Sequence, residues 1–290
     1  MSIAPVAPRK NTNMIIDCHT HLGRNHHIEA TAKNLVLSMD EAKIDKSLVF
    51  AGMLNDAPNE WMLDQIAPYK DRLIGVAAAH PQLRLLEKNK PHLSIYSDER
   101  QLALRNDREE IEKITNWYNE GLIKAVKFYT GYDHYYPSDQ DLYLNVLNEL
   151  GCPAIFHSGD CLNTACHSKL KYALPLHIDD VAVDYPKMNF IIAHMGYPWH
   201  RDAAEVCYKN ANVYADISGF VYGDFSPDDR LKFGKTIREF NDIASSEKLL
   251  FGTDSPISNQ KSYVDVLQDT IYPPYRPEQL SDNAKKVFKL

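Results

Sequence analysis

Met14-Ile15-Ile16-Asp17-Cys18-His19-Thr20-His21 is an apolar run that ends in two histidines one residue apart. The apolar half reads as a buried strand. Alternation of side chains along a strand puts His19 and His21 on one face, with Asp17 behind them. Two imidazoles at a strand end can grip a single metal ion, since neutral imidazole is a common ligand of zinc-like ions. The pair by itself also fits two unrelated histidines, so its meaning depends on what ends the other strands.

Seven further apolar runs follow, at residues 47–53, 73–79, 123–129, 153–157, 189–194, 212–217 and 248–252. Most are continuous and do not alternate, as expected of parallel strands covered on both faces. Helical patterns lie between them. Residues 30–42 carry Leu35, Val36 and Met39 on one face, and residues 139–150 carry Leu142, Val146 and Leu150. Residues 176–183 follow Pro175, and 201–210 and 229–246 are also helix-like. A strand–helix alternation repeated eight times predicts an α/β fold, a closed (β/α)8 TIM barrel. The connection 81–121 is long: 102–118 reads as a helix, and 88–100 as a loop or lid at the barrel mouth. Residues 1–13 are expected to be a flexible arm and 14–290 a single domain, closed by a Pro-rich turn at 272–277 and a last helix at 277–288.

With 290 residues, 44% hydrophobic and 24% charged, the chain can bury a full core. The net charge is −7 and no basic run occurs, which argues against nucleic acid or an anionic membrane surface as partner. No apolar stretch approaches the roughly 18 residues of a bilayer span. The N-terminus lacks the apolar core of a secretory signal. The five cysteines are odd in number and irregularly spaced. Cys161 and Cys166-His167 fit no common zinc module. A reduced, cytoplasmic protein is expected.

In such a barrel, chemistry sits at the C-terminal strand ends. The first strand ends in His19 and His21, and the fourth carries Lys127 and Tyr129. The fifth ends at His157, the sixth at His194 and the eighth at Asp254. Four imidazoles, a carboxylate and an amine are thus expected at one mouth.

These residues lie in phrases that resemble the amidohydrolase superfamily, in the branch that includes aminocarboxymuconate semialdehyde decarboxylase and related ring-acid hydrolases. The phrases are Ile16-Asp17-Cys18-His19-Thr20-His21, Phe190-Ile191-Ile192-Ala193-His194-Met195-Gly196 and Leu250-Phe251-Gly252-Thr253-Asp254-Ser255-Pro256, with Asn283-Ala284-Lys285-Lys286-Val287-Phe288 as a closing helix. The resemblance implies that His19, His21, His157 and Asp254 hold one divalent metal and that His194 stands free as the catalytic imidazole. Zinc is the expected ion, with manganese or iron suited to the same ligands. In two-metal members a carboxylated lysine bridges the ions, but the branch resembled here uses one metal, so Lys127 is expected to contact substrate instead.

The chemistry suits these roles. A metal with His and carboxylate ligands and one open position lowers the pKa of bound water to about 7. Asp254 can take that water's proton, and His194 can polarise a carbonyl or stabilise an oxyanion. Arg24 and Lys127 can meet a substrate carboxylate, and Tyr129, Tyr132, Tyr135, Tyr136, His134 and Trp199 can supply an aromatic rim. The leading expectation is a metal-dependent hydrolase that opens a C–O or C–N bond of a small acidic cyclic or carbonyl substrate. The alternative is a non-oxidative decarboxylase of a small aromatic or muconate-like acid, and a minor one is a catalytically silent binding barrel. By analogy with the branch, pairing into a homodimer is expected, with 81–121 and the tail as candidate contacts.

Overall fold

The computed structural model describes residues 14–25, 28–51, 58–161, 167–268 and 277–290. Its central sheet has eight parallel strands in chain order. They are β1 (Ile16–His21), β2 (Lys46–Phe50), β3 (Leu73–Ala79), β4 (Ile123–Phe128), β5 (Ala154–Phe156), β6 (Phe190–Ile192), β7 (Val213–Asp216) and β8 (Leu249–Leu250). The seam between last and first strand is closed by backbone bonds: Cys18 N–H donates to Phe251 O (2.8 Å), Asp254 N–H to His19 O (2.8 Å) and His21 N–H to Ser255 O (2.7 Å). A hairpin of Gly23–Asn25 and Ile28–Ala30 follows β1. The expected TIM barrel is what forms.

The helices are α1 (Ala32–Ala42), α2 (Asn59–Ile66), α3 (Gln82–Asn89), α4 (Asp98–Asn119), α5 (Thr130–Asp133) and α6 (Asp141–Leu150). They continue as α7 (His177–Asp184), α8 (His200–Lys209), α9 (Pro227–Asn241), α10 (Gln260–Gln268) and α11 (Pro277–Phe288). Capping sets several starts. Thr31 Oγ1 accepts Asn34 N–H (3.2 Å), so α1 begins at Ala32, and Ser226 with Asp229 forms a capping box before Pro227. The loop expected at 88–100 is shorter: α3 runs to Asn89, and Ser97 caps α4 through Arg100 N–H, with Asp98 and Glu99 favouring its positive end. Helix α2 was not expected, although Met62 and Ile66, both buried, stand at helical spacing. The expected arm 1–13, most of the turn at 272–277 and Cys166 lie outside the described residues. Cys18, Cys152, Cys161 and Cys207 are free thiols. Among the described residues no helix is long and apolar enough to cross a membrane.

The core has two layers. One packs the strands' outer faces against the helices. The other draws on every strand, with Ile16 and Cys18, Leu48 and Phe50, Val76, Ala125, Ile155, Ile191, Tyr214 and Leu250, and therefore fills the barrel interior. Helix α11 joins this inner cluster through Ala284, Val287 and Phe288. It is tied down where Ile16 N–H donates to Ser281 Oγ (2.8 Å) and Asn283 Nδ2 donates to Ser246 O (2.8 Å) and Leu249 O (2.7 Å). The closing helix is thus part of the barrel's own core. Replacing Phe288 with Ala should cost about 3–5 kcal/mol, to be read from urea unfolding; a change under 1 kcal/mol would refute this role.

Candidate active site

The inward rows of the strands turn polar as they reach the mouth. Lys127 lies two residues beyond Ala125, His157 two beyond Ile155 and Asp216 two beyond Tyr214, so each faces inward by strand alternation. Strand β1 needs a further device. Ile16 and Cys18 already point into the core, so strict alternation would send His19 and His21 outward. Between Asp17 and Thr20 the register against β2 slips by one residue, a bulge that re-aims the chain. Both histidines then face the mouth, while Asp17 stays on the outer side of β1.

Histidines and carboxylates meet there. His21 Nε2 lies 3.1 Å and His19 Nε2 3.6 Å from Asp254 Oδ1. The ligand atoms of His19, His21 and Asp254 all fall within 4.8 Å of one another, as do those of His19, His194 and Asp216. Hydrogen bonding separates the two sets. His19 Nδ1 is 2.9 Å from Asp216 Oδ2 and must carry a proton to donate there, which leaves the lone pair on Nε2, the side that faces Asp254. The donor set His19, His21 and Asp254 therefore fits a divalent ion, and Asp216 orients His19 behind it.

Burial sets the charges. Desolvation holds His19 and His194 well below the usual histidine range and takes His157 down to about 3, with the Lys127 charge adding to the effect. These shifts favour the neutral ring, the form that a metal ligand or a proton acceptor needs. Desolvation also lowers Lys127 to about 8, against the pull of Asp216 and Asp254. Its amine is fully buried, 3.5 Å from His19 Nε2 and about one ring away from Phe50 and Tyr129, at 5.1 and 5.5 Å from their centroids. Among the described residues it has no ion-pair partner.

His157 stays outside both of these donor sets, but its ring packs on that of His194. The rings of His19 and His194 lie 4.7 Å apart and tilted, and those of His157 and His194 meet edge to face at 4.9 Å. His157 Nε2 is 2.9 Å from the Asp160 carbonyl, to which it must donate, so its lone pair is on Nδ1. Tyr129 is buried and its hydroxyl donates to Ala51 O (3.2 Å), so it walls Lys127 and does not offer a free hydroxyl. Trp199 is half-buried at the start of α8, five residues beyond His194. Arg24 sits in the hairpin after β1, and its side chain lies outside the described residues. Phe50 packs on His19 (4.3 Å) and, edge-on, on His21 (5.2 Å), and Tyr132 packs on His157 (4.9 Å), giving apolar walls.

Three residues absent from the sequence expectations prove central. Asp216 accepts His194 N–H (3.0 Å) and Ser218 N–H (3.1 Å) besides the His19 ring. Ser218 Oγ lies 2.9 Å from His194 Nδ1, 3.0 Å from His19 Nδ1 and in contact with Asp216 Oδ1. Gly219, at φ +66°, lets His194 approach: a Cβ there would stand 2.5 Å from His194 Nδ1. His194, Met195 and Asp254 themselves adopt left-handed backbone, with φ of 60°, 51° and 69°.

A parallel barrel whose strand ends converge on a buried His–His–Asp donor set defines a metal-dependent barrel enzyme. A family model described as amidohydrolase matches residues 16–290, and the chain belongs to that family. Among solved structures it is similar to 5-carboxyvanillate decarboxylase from Novosphingobium aromaticivorans, complexed with manganese and 4-hydroxy-3-methoxy-5-nitrobenzoic acid (12% identity, TM-score 0.64, 96% of each chain). It is also similar to dihydroxybenzoic acid decarboxylase from Polaromonas, with bound manganese and 2-nitroresorcinol (15%, TM-score 0.62, 96% of this chain and 97% of that one). A probable 2-pyrone-4,6-dicarboxylic acid hydrolase from Acinetobacter baumannii, with citric acid bound, shares 16% identity at TM-score 0.62 over 95% of this chain and 99% of that one. At these identities the likeness is one of fold. A stretch of 80 residues is 32% identical to Protein fluG of Emericella nidulans, covering 28% of this chain and 9% of that protein.

The geometry makes a prediction for metal content. Elemental analysis should find about one equivalent of divalent metal per chain, lost in His19→Ala and kept in His194→Ala. Asp216→Asn should weaken zinc affinity by about 10–100-fold in chelator competition. Unchanged affinity would show that Asp216 does not orient His19.

Proposed function

We propose that this protein is a metal-dependent decarboxylase of a small, planar aromatic or muconate-like acid. The observation that carries the reading is Lys127, a fully buried amine with no ion-pair partner among the described residues, beside the candidate metal ligands. Such a cation is costly unless an anion completes it, and a carboxylate substrate would do so.

His19, His21 and Asp254 would hold the ion, with His157 as a fourth candidate ligand through Nδ1. When bound, a divalent cation supplies Lewis acidity that draws electron density onto substrate oxygens. The chain's own groups do the rest. Lys127 binds the acid group, while Phe50, packed on His19 and His21, and Tyr132, packed on His157, give apolar surface beside it. His194, neutral and without a hydrogen bond on Nε2 among the described residues, exchanges a proton with the substrate at that atom. Burial of His19 and Lys127 limits water in the deepest part of the site, which favours loss of CO2 over attack by water.

Similarity to decarboxylases with bound manganese supports this reading. A second reading, hydrolysis of a C–O bond in a cyclic acid, is supported by the hydrolase of the same fold. Manganese and zinc both suit the donor set.

A panel of hydroxybenzoates, 5-carboxyvanillate and 2-pyrone-4,6-dicarboxylate, tested with the manganese- and zinc-loaded protein, separates the two. Decarboxylation releases bicarbonate or CO2, and the product has lost the mass of CO2; a product that has gained the mass of water would establish the hydrolase instead. With a substrate in hand, Gly219→Ala should lower kcat by about 100-fold, because the added methyl displaces the His194 ring and crowds Asp254 Oδ2.

A further inference from the structure

We infer that Ser218 and Asp216 lock His194 in its Nδ1–H tautomer, so that the ring meets substrate through an unprotonated Nε2. The inference deepens the reading of His194 as the catalytic imidazole and rests on it. Both are positioning residues, acting on substrate only through the ring.

The assignment follows from counting protons. Asp216 accepts on both oxygens: Oδ2 takes the His19 Nδ1–H, and Oδ1 takes the backbone N–H groups of His194 and Ser218. The Ser218 hydroxyl also contacts Oδ1. A carboxylate oxygen brings no proton to that contact, so the single hydroxyl proton of Ser218 must point at Asp216. Ser218 Oγ then has only lone pairs to offer His194 Nδ1 at 2.9 Å, and Nδ1 must donate. A neutral imidazole protonated on Nδ1 has its lone pair on Nε2. The alternative, Ser218 donating to His194, would set its oxygen against Asp216 Oδ1 with no proton between them.

The same count covers His19, whose Nδ1 also lies 3.0 Å from Ser218 Oγ and whose proton goes to Asp216. One carboxylate and one hydroxyl therefore fix two imidazoles, a candidate metal ligand and the candidate base. Gly219 leaves room for this contact, since any Cβ there would crowd Nδ1. The chemical consequence is specific. An oxyanion-stabilising role would need a proton on Nε2, whereas the locked ring accepts a hydrogen bond, and then a proton, from a substrate hydroxyl.

Two-bond 15N–1H correlation spectra of the zinc-loaded, 15N-histidine-labelled protein test this directly. His194 is assigned by the signals lost in His194→Gln. The expected pattern is a pyrrole-like Nδ1 and a pyridine-like Nε2 in the wild type. Ser218→Ala should shift the ring toward the Nε2–H form while zinc content stays at wild-type level, and Ser218→Thr, which keeps the hydroxyl, should restore the wild-type pattern. Turnover in Ser218→Ala should fall by about 10²–10⁴-fold. A protonated Nε2 in the wild type, or a Ser218→Ala spectrum unchanged from it, would overturn the inference. The wild-type spectrum decides even if Ser218→Ala does not fold. Because the spectra need no substrate, failure of the decarboxylase reading leaves this test standing, and the reverse also holds.

Discussion

The Asp216 carboxylate holds together groups from three strands. It accepts the His19 ring of β1, the His194 backbone at the end of β6 and Ser218 beyond β7. Each such bond to a carboxylate in a dry site contributes about 1.5–3 kcal/mol. Their greater effect is geometric. Side chains that reach the mouth from separate strands would otherwise be fixed only by packing, and packing does not choose which imidazole nitrogen carries a proton.

A second buried carboxylate works on the other side of the barrel wall. Asp17 Oδ1 accepts His19 N–H (3.1 Å) and Thr253 N–H (3.0 Å), and Oδ2 accepts Thr253 Oγ1 (2.6 Å) and Gln260 Nε2 (2.8 Å). Burial nonetheless raises its pKa to about 7, since desolvation outweighs these bonds. Asp17 spans the seam where the last strand meets the first and places Asp254, next in sequence to Thr253, beside His21. The two carboxylates thus clamp β1 from opposite faces, and the bulge between Asp17 and Thr20 is what lets neighbouring residues of one strand serve both.

Much of this was legible in the sequence. The eight apolar runs gave the barrel, and the histidines, Lys127 and Asp254 stood at strand ends where a barrel puts its chemistry. What stayed hidden depends on contacts distant in sequence. Asp216 within the run 212–217 reads like any polar residue at a strand end, and nothing local says that it faces His19, 197 residues away. The bulge in β1 is equally silent, because its signal is a register against β2 and not a residue type. Ser218-Gly219 resembles an ordinary turn until His194 is seen against it. The start of α4 was readable from Ser97, Asp98 and Glu99, but the helical spacing of its apolar residues begins later and pointed to 102.

The backbone at the mouth shows how stiffness and chemistry are connected. His194, Met195 and Asp254 occupy the left-handed region, where a residue with a side chain costs on the order of 1–3 kcal/mol unless its surroundings impose it. Glycine would remove that cost but also the imidazole and the carboxylate. Local propensity therefore cannot place these two groups, and tertiary bonds must. The His194 N–H is held by Asp216 and the Asp254 N–H by the His19 carbonyl. The strained residues are thus anchored to β7 and β1, the strands that also carry Asp216 and His19. Any shift of the seam would move His19, Asp254 and His194 together, so the site keeps its internal geometry only as long as the barrel stays closed.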